Sequence, residues 1–166
     1  MMPQKLLEGV GRGSLGSLVM ARIPMGVDLL EAIQALVQKE RIRKGLILMG
    51  IGALEKAVFR NLKVFPEAYP VGPEHRLYYE VLGPLEITSV TGYVVPQRDG
   101  TPLVHAHFSA STVREDKVVV YGGHLGPGSI TFVKIAVAIC PLVDMPMGKR
   151  WVEERGTEDL WVGAPE

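Results

Sequence analysis

Between residues 77 and 139 one strand signal follows another with no helical pattern between them, and this more than anything else limits what the chain can fold into. Segments 77–82, 85–95, 103–113, 118–121 and 130–139 are short runs rich in β-branched and aromatic residues. Turn signals separate them: Gly83-Pro84, Gln97-Arg98-Asp99-Gly100, Arg114-Glu115-Asp116-Lys117 and the glycines from 122 to 128. A doubly wound nucleotide-binding fold needs a helix after each strand, so this half of the chain disfavours it. Nineteen glycines and twelve prolines in 166 residues fit a chain that turns often.

The first half supplies the helix. Residues 15–23 read as a first strand closed by Pro24 and Gly26. Asp28 offers an N-cap with Glu31 three residues on, and Leu29, Leu30, Ile33, Leu36 and Val37 recur at helical spacing, which predicts an amphipathic helix over 28–40. Residues 46–49 are short, apolar and unbroken, as in a strand covered on both faces. Gly50-Ile51-Gly52-Ala53-Leu54 bends the chain before a further strand over 54–62, and Pro66, Pro70 and Pro73 make 65–74 a loop with His75 solvated at its end. In 85–92, strict alternation places Glu86, Thr88, Val90 and Gly92 on one face and Leu85, Ile87, Ser89 and Thr91 on the other. The expected fold is α+β: a strongly bent mixed or antiparallel sheet packed on one main helix, with shorter helical segments. The expected organisation is an N-terminal extension (1–14), a domain (15–140) and a C-terminal arm (141–166) docked on the body or on a neighbouring subunit.

Composition narrows the function. Eighteen basic residues balance eighteen acidic ones, so the bulk attraction to phosphate that drives non-specific nucleic-acid binding is absent. No stretch approaches the roughly 20 apolar residues of a membrane helix, and the N-terminus lacks a signal-peptide core. A cytoplasmic protein is expected. The single cysteine, Cys140, lies in an apolar run and reads as an inert buried thiol.

Three of the four histidines fall within residues 103–128. In a strand, His105 and His107 leave the same face while Val104, Ala106 and Phe108 enter the opposite layer. A hairpin turn at 114–117 brings the chain back and delivers His124 beside them. Three neutral imidazoles suit zinc or a similar borderline ion, with one coordination position left for water or a ligand. The same pattern also fits a polar strand face or a hydrogen-bonded histidine pair, since the tight paired spacing of zinc ribbons is missing.

Taken together, Gly50-Ile51-Gly52-Ala53-Leu54, the segment LEITSVTG (85–92), His105-Ala106-His107, GGHLGPG (122–128) and the opening RIPMGVDLLEAI (22–33) resemble, in order and spacing, the PPC (plants and prokaryotes conserved) domain family. The resemblance spans about residues 15–140. It implies a homotrimer of stand-alone subunits with a metal, usually zinc, bound by His105, His107 and His124. Plant members hold DNA through AT-hooks ahead of the domain; here Gly11-Arg12-Gly13-Ser14 has one arginine and no proline, so direct nucleic-acid binding is not expected. The fold is also similar to that of acetolactate decarboxylase, a three-histidine zinc enzyme. By that analogy Arg22, Glu80 and Glu86 are the candidate catalytic residues beside the ion.

Three functions follow in order of expectation. The first is a trimeric metal-binding module whose partner is a small molecule or a protein. The second is a metal-dependent lyase or decarboxylase acting on small keto or hydroxy acids. The third is a DNA-associated regulator.

Overall fold

Capping and periodicity act as the sequence predicts around the helix, α1 (Leu29–Lys39). One Asp28 carboxylate oxygen accepts from Glu31 N at 3.0 Å, and Leu29, Ile33 and Val37 are buried on one side. The other Asp28 oxygen accepts from Gly128 N at 2.5 Å, tying the helix start to the glycine-rich loop that follows the histidine hairpin.

A computed structural model describes residues 6–163; the expected N-terminal extension and C-terminal arm lie partly outside this range. Around α1 run nine strands: β1 (Ser14–Leu15), β2 (Val19–Ile23), β3 (Gly45–Leu62), β4 (Arg76–Pro96), β5 (Pro102–Arg114), β6 (Lys117–Leu125), β7 (Ile130–Val143), β8 (Met147–Val152) and β9 (Thr157–Val162). The expected α+β architecture is therefore wrong. Strands take 60% of the described residues and helices 11%. Beyond α1 the only helical segments among them are three-residue 3₁₀ turns at Pro73–His75 and Glu153–Arg155. The protein is mostly β, with one short helix and a large sheet whose pairings are all antiparallel. The physical reason is connectivity: antiparallel neighbours join through tight turns and need no crossover helix.

Two pairs of predicted strands are each a single strand. The Gly50–Leu54 segment does not end β3; register shifts at Ile47/Met49, Ile51/Ala53 and Leu54/Lys56 bend it while pairing continues. At Gly52 (φ +148°) an added Cβ would lie 2.6 Å from the Lys134 carbonyl oxygen, so only glycine permits the bend. Strand β4 likewise runs through Gly83-Pro84. A register shift between Ile87 and Ser89 in the β4–β5 pairing breaks the alternation read for 85–92. Leu85, Ile87 and Val90 all face the core as a result, whereas strict alternation had put Val90 opposite Ile87.

The curvature of β3 lets it pair with different neighbours along its length. Its first part lies between β4 and β7, and its end pairs with β6 through Phe59–Leu125 and Arg60–His124. Strands β3, β4, β5 and β6 thus close into a ring. Phe59 and Phe108, both nearly fully buried, stack with centroids 4.4 Å apart, an arrangement worth about 0.5–1.5 kcal/mol beyond area burial. Buried Ser129 and Thr131 are satisfied: Ser129 Oγ accepts from Val58 N at 3.0 Å, and Thr131 Oγ1 donates to Pro24 O at 2.7 Å. Strand β7 runs on to Val143, past the expected boundary at 140, and β8 and β9 form a separate hairpin. Cys140 is buried with its Sγ 3.5 Å from the Gly16 carbonyl oxygen. No helix among the described residues is long and apolar enough to cross a membrane.

Candidate metal centre

His105 and His107 leave one face of β5, and the β5–β6 register places His124 directly opposite His107. Ala106 and Phe108 are buried on the other face, which anchors the strand and fixes the direction of both imidazoles. The turn between β5 and β6 is two residues, Glu115 and Asp116, both with positive φ. This is the tight hairpin connection that sets the register of everything after it.

One ring nitrogen from each histidine lies within 4.8 Å of the other two. His105 Nε2 and His107 Nε2 are 3.4 Å apart on nearly parallel rings, 3° between planes. That is long for a direct hydrogen bond, but it is about the separation of two nitrogens each ~2.0–2.1 Å from one tetrahedral ion. The His124 ring stands at 88° and 90° to the other two, with centroids 4.8 and 5.3 Å away. The cluster reaches solvent through His107, which is exposed, while His105 and His124 are half-buried.

Local sequence explains the close approach. Gly92 pairs with Ala106 between the two histidines, and a Cβ there would sit 2.2 Å from the His105 carbonyl oxygen. At Gly123 a Cβ would collide with Asn61, whose Nδ2 donates to Gly122 O at 3.0 Å. Both glycines keep neighbouring strands within reach of the cluster.

The surroundings favour the neutral form of His105 and His124. Partial burial, then the Arg60 guanidinium, the other two histidines and Arg76 push the His124 pKa down from 6.5 to about 4. His105 is also lowered, first by burial, then by His107, Lys149 and Arg60, with Asp159 opposing. Neutral imidazole is the form a metal binds, so the donor set fits a borderline divalent ion. The Tyr93 ring stacks on His105 at 5.0 Å. Its pKa is raised by burial and by Asp159, so it keeps its proton.

The other residues singled out from the sequence lie apart from these contacts. Arg22 is on β2 opposite Ala136, lining a surface cavity with Lys134 and Val133. Glu80 pairs with Lys56 at 3.2 Å, and exposed Glu86 lies opposite Ala53 and Ser111. None of the three is among the groups acting on His105 or His124. His75 closes a 3₁₀ turn, its Nδ1 accepting from Gly72 N at 2.9 Å, and its side chain is largely buried rather than solvated. The sequence reading missed Arg60, Arg76, Tyr93 and Asp159 and placed Lys149 only in an arm. Arg60 meets His124 through a pairing between strands more than sixty residues apart, for which no local signal exists.

A comparison with curated proteins finds no match. Among solved structures, a metal-containing protein from Archaeoglobus fulgidus is 26% identical, with a TM-score of 0.68 over 89% of this chain and 94% of that one. A plant- and prokaryote-conserved (PPC) protein from Pyrococcus horikoshii is 27% identical, with a TM-score of 0.68 over 97% of this chain and 100% of that one. Alpha-acetolactate decarboxylase from Bacillus subtilis shares the fold at 16% identity and a TM-score of 0.51, with 74% of this chain matching 51% of that one. The profile of the Plants and Prokaryotes Conserved (PCC) domain matches residues 10–143. With that match across most of its length, the chain belongs to the Plants and Prokaryotes Conserved domain family.

Proposed function

We propose that this chain is a metal-binding member of the family in which His105, His107 and His124 hold one divalent ion, zinc by its ligand preference, at a site open to a small molecule. The observation that carries this reading is the convergence of three ring nitrogens within 4.8 Å, one pair at 3.4 Å. The similarity to a metal-containing archaeal protein supports it. The working unit is a homotrimer, a reading supported by exposed Met20, Leu48, Ile51, Phe132 and Val133 on the adjoining strands β2, β3 and β7. A neighbouring subunit is the natural cover for such apolar surface. Metal analysis of the purified protein against the His105→Ala, His107→Ala double variant tests the site. One ion per chain in the first and none in the second is expected; equal, negligible metal in both removes the basis. Light scattering giving a monomer mass overturns the trimer.

A second reading, a metal-dependent lyase on small keto or hydroxy acids, is favoured by the solvent contact of the cluster through His107 and by the fold shared with acetolactate decarboxylase. A bound ion supplies Lewis-acid polarisation of a carbonyl. Tyr93, protonated and stacked on His105, is the proton donor at hand. Turnover of such acids that survives chelation counts against this reading.

A further inference from the structure

Cations outnumber carboxylates among the charges around His105 and His124. Arg60 pairs directly with His124 across β3 and β6, which puts the two side chains on one face with Cβ atoms roughly 5 Å apart. Arg76 begins β4 opposite Leu62, two residues beyond Arg60 on β3, and so shares the face that carries Arg60 and His124. Lys149, on β8, acts on His105. Among the described residues none of these three forms an ion pair with a carboxylate. Among the described residues the Lys149 ammonium donates to the Glu158 carbonyl oxygen, at 3.4 Å. Asp159, the one carboxylate acting on His105, is engaged by Arg155 and by its own neighbour Leu160 N.

Partly buried charge of one sign without compensation is costly and focuses the local field. A divalent ion on the histidines would raise that excess further. In a chain without net charge, the field is local to this cluster, which suits a small anion and not a polyanion. A guanidinium fork matches a planar carboxylate in particular.

We infer that the three-histidine site takes a small carboxylate anion, its carboxylate held by Arg60 and Arg76 beside His124. The inference rests on the metal-binding reading and names the ligand class for that site.

The test uses the full-length protein loaded with cobalt(II), whose visible absorption reports the ion's ligands. It is titrated with pyruvate, with the neutral pyruvamide of the same shape, with inorganic phosphate and with a short DNA duplex. Pyruvate is expected to change the spectrum saturably, and at least tenfold more tightly than pyruvamide or phosphate. Arg60→Gln and Arg76→Gln should each weaken pyruvate at least tenfold while cobalt content and the ligand-free spectrum stay unchanged. Arg60→Lys should recover part of the loss, and the exposed control Arg43→Gln should behave as the parent. Because the two substitutions sit on separate elements, failure of one variant to fold leaves the other to decide. Equal binding of pyruvate and pyruvamide, no response to any anion, or preference for phosphate or duplex overturns the inference while leaving metal binding intact. Failure of the parent protein to take up cobalt removes the metal reading and this inference with it.

Discussion

His124 should make the metal-free protein acid-sensitive in a defined window. In the folded chain its pKa is about 4, against 6.5 for an ordinary imidazole, with burial the first cause and Arg60 the second. Between those values the unfolded chain binds a proton that the folded chain refuses, so stability falls as pH drops from about 6.5 to about 4 and this contribution is flat outside that window. At 1.36 kcal/mol per pH unit the depression corresponds to about 3 kcal/mol, and solvent screening of a half-exposed ring reduces it to roughly 1–2 kcal/mol. Urea denaturation of the chelator-treated protein at pH 7, 5.5 and 4, with His124→Gln in parallel, measures the difference. The parent should lose roughly 1–2 kcal/mol more than the variant between the first and last pH. Parallel losses would refute the reasoning, because they would mean that His124 titrates alike in both states.

Three further outcomes are expected. Gly92→Ala forces a methyl against the His105 carbonyl oxygen, so it should destabilise the fold by about 1–3 kcal/mol and lower metal affinity; wild-type metal content and melting temperature would contradict that. Asp28→Ala removes both the helix cap and the bond to Gly128 N, costing about 2–3 kcal/mol in denaturant titration. Phe108→Ala empties the place of a buried ring stacked on Phe59 and should cost about 3–5 kcal/mol by the same measurement.

The histidine cluster was legible because each step toward it is local. Period-two alternation puts His105 and His107 on one face, and a two-residue turn at Glu115-Asp116 carries the chain back in a register that ends at His124. The helix was legible for the same reason, through Asp28 and the apolar positions one turn apart. The faces of 85–92 were not, because the register shift after Ile87 carries no signature in residue type. Glycines at 50, 52 and 83 read as breaks, yet the strands pass through them, since pairing of β3 with β4 and β7 around the first two, and of β4 with β3 before and after Gly83, outweighs a glycine's local freedom.

Alternation, capping and turn chemistry depend on near neighbours, and so residue order alone settled the helix, the histidine hairpin and the membership of the family. Closing β3 onto β6 and folding back the β8–β9 hairpin depend on contacts between segments far apart in sequence. Those contacts brought the charges of Arg60, Arg76, Lys149 and Asp159 to bear on the imidazoles. Such pairings form because curved strands bury one continuous core, a property of the whole sheet that no short window of residues contains.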